Sequence, residues 1–252
     1  MNLTKQPIKF KGMIALRRIV FIILNIIIVA TLTGCLYPNA HENVEQKIPN
    51  EEMLTSVQRA MEQFREENNG ILPIKTKEHD TDIYIKYLID FHKLVPSYLN
   101  AIPANAFEKG GIYQYVIIDP ETTPEVKIFD LKIAEVIRDI QFRLTMKQYP
   151  PYQDRLSKQL FSLNFKELGY KEEPVIISPY TGQNLSLVIS GAGTIYVDYR
   201  SDLYLKAKEV GKEEIKSGED LRYLLSIDSP FVPAYSFPMT IDENGDPQFL
   251  DK

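Results

Sequence analysis

The chain has 252 residues, 44% hydrophobic and 25% charged, a composition that fits a globular protein and excludes a wholly disordered one. Residues 1–34 carry Lys5, Lys9, Lys11, Arg17 and Arg18 and no acid. Taking these five from the 29 Lys and Arg leaves 24 basic side chains against 34 Asp and Glu, so the remainder carries a charge of about −10. An acidic body of this kind lacks the clustered cations that phosphates demand, so no nucleic-acid partner is expected, and attachment to anionic lipid has to come from elsewhere.

The N-terminus supplies an attachment. A basic stretch ending at Arg17-Arg18 precedes an apolar run from Ile19 to Ala30, then Thr31-Leu32-Thr33-Gly34-Cys35. Charged, apolar and small residues in this order describe a secretory signal peptide over residues 1–34. The 16 residues from Ile19 to Gly34 are interrupted by Asn25, whereas a spanning helix needs about 20 predominantly apolar ones. An uncleaved N-terminal anchor is the alternative. Leu32-Thr33-Gly34-Cys35 resembles the lipobox of bacterial lipoproteins. That resemblance implies cleavage between Gly34 and Cys35, lipidation of Cys35, and a place at the cell membrane facing outside the cytoplasm. Two or more acyl chains make a stable tether where one holds only marginally. Cys35 is the chain's single cysteine, so once it is lipidated no disulfide or CxxC motif remains. Its other reading is a buried structural thiol. Residues 35–49 are polar and aperiodic, a tether between membrane and domain.

The domain reads as α+β. A helix starts after Asn50, with Leu54, Val57, Met61 and Phe64 on one face and Asn68-Asn69-Gly70 as its stop. A charged loop, Lys75 to Asp82, leads to a second apolar-periodic stretch from Ile83 to Leu94, closed by Pro96. Gly110-Gly111 turns into a strand with alternating Ile112, Gln114, Val116 and Ile118, and Val126–Asp130 is its partner. A long helix is expected from Leu131 to Lys147, with Ile133, Val136, Ile137, Ile140 and Leu144 on one face. A further helix is expected over Leu156–Leu168, then strands at Val175–Ser178, Leu185–Ser190 and Thr194–Tyr199. This order, with echoes such as Gln63-Phe64-Arg65 and Gln141-Phe142-Arg143, divides the domain into two α+β units, 50–130 and 131–229. A single α+β domain with chance echoes is the alternative. The Pro-containing tail, 230–252, is expected to form an edge hairpin around Asn244-Gly245.

Two family resemblances follow from these residues. Glu67-Asn-Asn-Gly-Ile-Leu-Pro73 after a long helix, with Leu99–Pro103 and Gly110-Gly-Ile-Tyr-Gln-Tyr115, is similar to the globular half of type IV pilins and implies an α+β arrangement. Pilins carry an uninterrupted N-terminal helix where this chain has a lipobox. The whole chain resembles an uncharacterised lipoprotein family of Bacillus-type bacteria, some of whose members are labelled periplasmic binding components of transporters.

Chemistry-bearing motifs are sparse. His41, His79 and His92 lack metal-site spacing, and neither HExxH nor GxSxG is present. Ser190-Gly-Ala-Gly193 reads as a hairpin turn. Asp242-Glu-Asn-Gly-Asp246 starts like an EF-hand loop, but Pro247 stands where that loop needs Gly. No catalytic residue, metal ligand or cofactor is therefore assigned, and an enzyme is not expected. Of the 15 tyrosines, Tyr84, Tyr87, Tyr98, Tyr113, Tyr115, Tyr180, Tyr196 and Tyr199 are candidates for a groove or an interface, against ordinary half-buried roles. The functional expectation is a non-enzymatic binding or assembly lipoprotein of the envelope, with an envelope protein as partner. The alternative is a solute-binding lipoprotein of an ABC importer.

Overall fold

The structure, a computed structural model, describes residues 51–75, 77–211 and 215–251. The signal peptide, Gly34, Cys35, the tether and Asn50 lie outside the described residues. Helix α1 (Glu51–Glu67) buries Val57, Ala60 and Met61, with Leu54 and Phe64 packed beside them. Glu51 and Glu52 occupy its first turn, where the helix dipole favours negative charge. Asn69 and Gly70 end it at φ 55° and 84°, the Gly70 N–H donating to the Arg65 carbonyl at 2.9 Å.

The stretch expected as one helix over 83–94 is instead two single turns, α2 (Ile83–Lys86) and α3 (Phe91–Leu94), capped by the carboxylates of Asp82 and Asp90. Between them the chain extends beside β1 (Tyr113–Ile118). The Ile117 N–H donates to the Tyr87 carbonyl at 2.9 Å, and the Ile89 N–H to the Tyr115 carbonyl at 3.1 Å. The buried outer edge of β1 needs these partners, and that need outweighs the local helical period. β1 pairs antiparallel with β2 (Glu125–Asp130), Tyr113 opposite Asp130 and Ile118 opposite Glu125. Asp130 then caps α4 (Leu131–Thr145), its side chain accepting the Lys132 N–H at 2.8 Å. Ile133 and Ile140 are the buried face of α4.

The helix expected over 156–168 is a second correction. The chain there forms β3 (Tyr152–Arg155) and β4 (Leu160–Leu163), followed by turns through Phe165–Gly169. A short pair, β5 (Ile176–Ile177) and β6 (Asn184–Leu185), precedes β7 (Leu187–Ser190) and β8 (Ile195–Val197). Strands β3, β4, β7 and β8 make one antiparallel sheet in that order. Leu160 and Leu163 suit either period, but β7 is buried throughout and its edge requires a strand partner. Helix α5 (Arg200–Val210) escaped the sequence reading because its apolar contribution to the core is little more than Leu203 and Ala207, while Tyr204 and Leu205 are exposed.

The hairpin around Asn244-Gly245 forms as expected, β9 (Met239–Ile241) against β10 (Pro247–Phe249). It makes its own two-stranded sheet, with Met239, Thr240 and Ile241 of β9 buried and Glu243, Asn244 and Gln248 exposed, and the Leu221 N–H donates to the Met239 carbonyl at 2.7 Å. Ahead of it, the segment 230–236, which turns at Ala234 and Tyr235, bonds first to β2, the Val232 N–H to the Ile128 carbonyl at 3.1 Å. It bonds next to β8, the Val197 N–H to the Tyr235 carbonyl at 2.8 Å. One strap thus joins the two sheets, and the described residues belong to a single unit. The echoed Phe64 and Phe142 differ in surroundings. Phe64 stands edge-on to Tyr98, whereas Phe142 is exposed.

Candidate functional site

A cleft of about 530 Å³ opens where three segments meet. One wall is α2 and the residue after it, bringing Ile83, Tyr84 and Tyr87. The second is the β1–β2 turn, with Ile118, Asp119, Glu121, Thr122 and Glu125. The third is the 3-10 turn Arg222–Leu225 and its flanks, with Asp220, Tyr223, Ser226 and Ile227. Local chemistry shapes each wall. Asp82 starts α2 by accepting the Tyr84 N–H at 3.1 Å. Asp119, at φ 48°, takes the left-handed conformation that tightens the hairpin ahead of Pro120. Gln58 of α1 pins the far side, accepting the Val126 N–H at 2.8 Å and donating to the Pro124 carbonyl at 3.2 Å.

Two walls are clamped together by Arg222. Its guanidinium donates through Nε and Nη2 to Asp220, at 3.0 and 2.8 Å, and through Nη1 to Asp82 at 2.8 Å. Nη1 also reaches the Ser236 carbonyl and Oγ, each at 3.0 Å, in the strap. The guanidinium lies 5.0 Å from the centre of the Tyr84 ring. Burial opposes its charge, but the hydrogen bonds and fields of Asp220 and Asp82 outweigh burial and hold it more firmly protonated than usual. Burial likewise raises the Tyr84 hydroxyl well above the ordinary tyrosine range, so this ring stays neutral.

The cleft is both apolar and acidic. Ile83, Tyr223 and Ile227 are large apolar side chains left 53%, 47% and 53% exposed, gathered in one concavity. Such grouping marks a binding surface more than scattered exposure does. Its carboxylates are Asp119, Glu121, Glu125 and Asp220, and among the described residues that line it there is no Lys, Arg or His. Asp220 is paired with Arg222, a cation it shares with Asp82, and Glu125 meets the buried Lys127 amine at 2.6 Å. Asp119 and Glu121 have no ion pair among the described residues. Ser226 is 3% exposed, and its hydroxyl, closed to solvent, has no hydrogen-bond partner among the described residues. A second trough of about 620 Å³ adjoins the cleft, sharing Glu125 and Ile227 with it and running to Glu51, Leu54 and Asp228.

Of the eight tyrosines singled out in the sequence, Tyr84 and Tyr87 line this cleft. Tyr113, Tyr115 and Tyr199 are buried instead, Tyr115 edge-on to Phe91 at 5.5 Å between centroids. Tyr98 packs on Phe64, Tyr180 on Tyr199 and Tyr196 on Phe237. His79 and His92 do not converge with other ligands: among the described residues no group of three His, Cys, Asp or Glu could hold a metal. Asp242 accepts the N–H groups of Asn244 and Asp246, both at 2.8 Å, as a hairpin turn does. Arg222, Asp220, Tyr223 and Ser226 were not read from the sequence. The Asp-x-Arg spacing, which recurs as Asp198 and Arg200 with the same side-chain pairing, was the available signal.

The fold and cleft therefore define a mixed α+β domain with a solvent-open, aromatic and acidic cleft. Residues 50–130 match the family model described as the YphF family N-terminal domain. That match spans two of the three cleft walls and stops before the third. No curated protein and no solved structure matches the chain.

Proposed function

We propose that the protein is a lipoprotein anchored outside the cytoplasm through Cys35. Its folded domain serves as a non-enzymatic binding or assembly component of the cell envelope. The anchor is supported by the lipobox-like Leu32-Thr33-Gly34-Cys35 behind a short apolar run. Among the described residues no helix is long and apolar enough to cross a membrane. The observation that carries the binding role is the cleft, where Ile83, Tyr223 and Ile227 stay exposed together in one concavity. Large apolar side chains gathered in this way are what a bound partner would cover.

Metabolic labelling with a palmitate analogue tests the anchor. The wild-type chain takes the label and is trimmed to begin at Cys35, while Cys35→Ala remains an unlabelled precursor. Normal trimming and labelling of Cys35→Ala would overturn that part. Affinity capture from solubilised membranes tests the binding role: a partner retained by the wild type and lost in Tyr223→Ala supports it. Thermal stabilisation by a small solute, with no such partner, would favour the importer alternative.

A further inference from the structure

We infer, building on the proposed binding role, that the cleft and its adjoining trough receive an extended segment of another protein that carries lysine or arginine side chains between apolar ones. The charge in the cleft selects the sign of the occupant. Asp220 and Glu125 are matched by Arg222 and Lys127, which leaves Asp119 and Glu121 as uncompensated carboxylates at the β1–β2 turn. The Tyr84 ring is buried and already holds Arg222, so the exposed Tyr223 offers the aromatic surface, beside half-buried Tyr87, that complements an alkyl stem ending in a cation. Ile83, Ile118 and Ile227 lie among these groups, so a partner bearing cations alone would leave apolar surface uncovered.

Size and continuity favour a peptide over a small amine. The two concavities, about 530 and 620 Å³, are joined through Glu125 and Ile227 and together exceed the roughly 300–1,000 Å³ typical of small-molecule pockets. In the trough Asp228 is paired with Lys206 at 3.0 Å and Glu125 with Lys127, which the Ser229 carbonyl also holds at 2.8 Å, so Glu51 is the carboxylate there that continues the same sign.

The test is fluorescence anisotropy on the protein purified from membranes in non-ionic detergent, in about 0.15 M salt so that exposed charges are screened. The probes are three labelled seven-residue peptides alternating leucine with lysine, glutamine or glutamate, and spermidine as a competitor. The lysine peptide binds, and the combined Glu121→Lys, Tyr223→Ala variant weakens it at least tenfold. Both residues are exposed or on the rim, so the variant keeps its fold, checked by an unchanged melting temperature. Equal binding by that variant would overturn the inference, because it would show attraction to the acidic body alone. Tyr223-dependent binding of the glutamine or glutamate peptide, in preference to lysine, would overturn the cationic assignment while leaving the cleft a binding site. Spermidine stabilising the protein where no peptide binds would also overturn it, in favour of a small solute. Failure of every probe to bind in a Tyr223-dependent manner would overturn the inference. The binding role itself fails only if the membrane partner is also absent.

Discussion

Replacing Arg222 with Met keeps an unbranched apolar stem and removes the guanidinium and its donors. The Asp220 and Asp82 carboxylates then face one another's wall without a cation, and the Ser236 carbonyl loses its Nη1 partner. Breaking a buried pair from one side costs about 3–5 kcal/mol. The Asp82 and Asp220 side chains are 26% and 30% exposed and regain part of their hydration, which places Arg222→Met at the lower end, about 3 kcal/mol. For a domain of this size that corresponds to a fall in melting temperature of about 6–12 °C. Asp82→Asn keeps the Asp220 half of the clamp and should cost only about 1 kcal/mol. The two substitutions share one network, so their effects should sum to less than additive. Urea unfolding with unchanged slopes reads all three values. A cost below about 1 kcal/mol for Arg222→Met, or additivity, would refute the clamp.

Other outcomes follow from single sites. Ser226→Ala removes a buried hydroxyl with no partner among the described residues and should stabilise the protein by about 1 kcal/mol in urea unfolding. Gly111→Ala sets a Cβ 2.1 Å from the Asn105 backbone, an overlap that should destabilise by about 3 kcal/mol in urea unfolding. Burial raises the Asp202 carboxyl above its usual range, against the hydrogen bonds from Thr181 at 2.7 Å and Ser178 at 2.9 Å. An acid raised on folding destabilises the native state above its folded pKa, and the penalty is relieved as pH falls toward the unfolded value. Asp202→Asn should therefore stabilise at neutral pH, with the gain shrinking through the acid range; a gain independent of pH would contradict this. Asp242 is held below its usual range chiefly by the Asp246 N–H, so Asp242→Ala should lower the melting temperature at pH 7 and matter progressively less as the carboxyl protonates.

Elements with a strong local signal were legible in the sequence. The three- and four-residue steps of Leu54, Val57 and Met61 gave α1, the steps of Ile133 to Ile140 gave α4, the alternation after Gly110-Gly111 gave β1, and Asn244-Gly245 gave the C-terminal hairpin. The failures share a cause. Tyr87–Ile89 and Leu160–Leu163 are ambiguous in period and extend because a neighbouring strand edge needs hydrogen-bond partners, which is a tertiary demand. The cleft was legible only through Tyr84 and Tyr87. Its third wall joins Asp82 to Arg222 across 140 positions, a pairing that no local pattern encodes.

The central claim is that this cleft is where the domain engages its partner. A photoreactive benzoylphenylalanine at position 223, compared with one at Phe142, an exposed ring on α4 outside the cleft, tests it most directly in growing cells. The account predicts one discrete crosslinked protein at position 223, absent at 142 and lost with Glu121→Lys. Equal crosslinking from both positions, or none from 223, would contradict it.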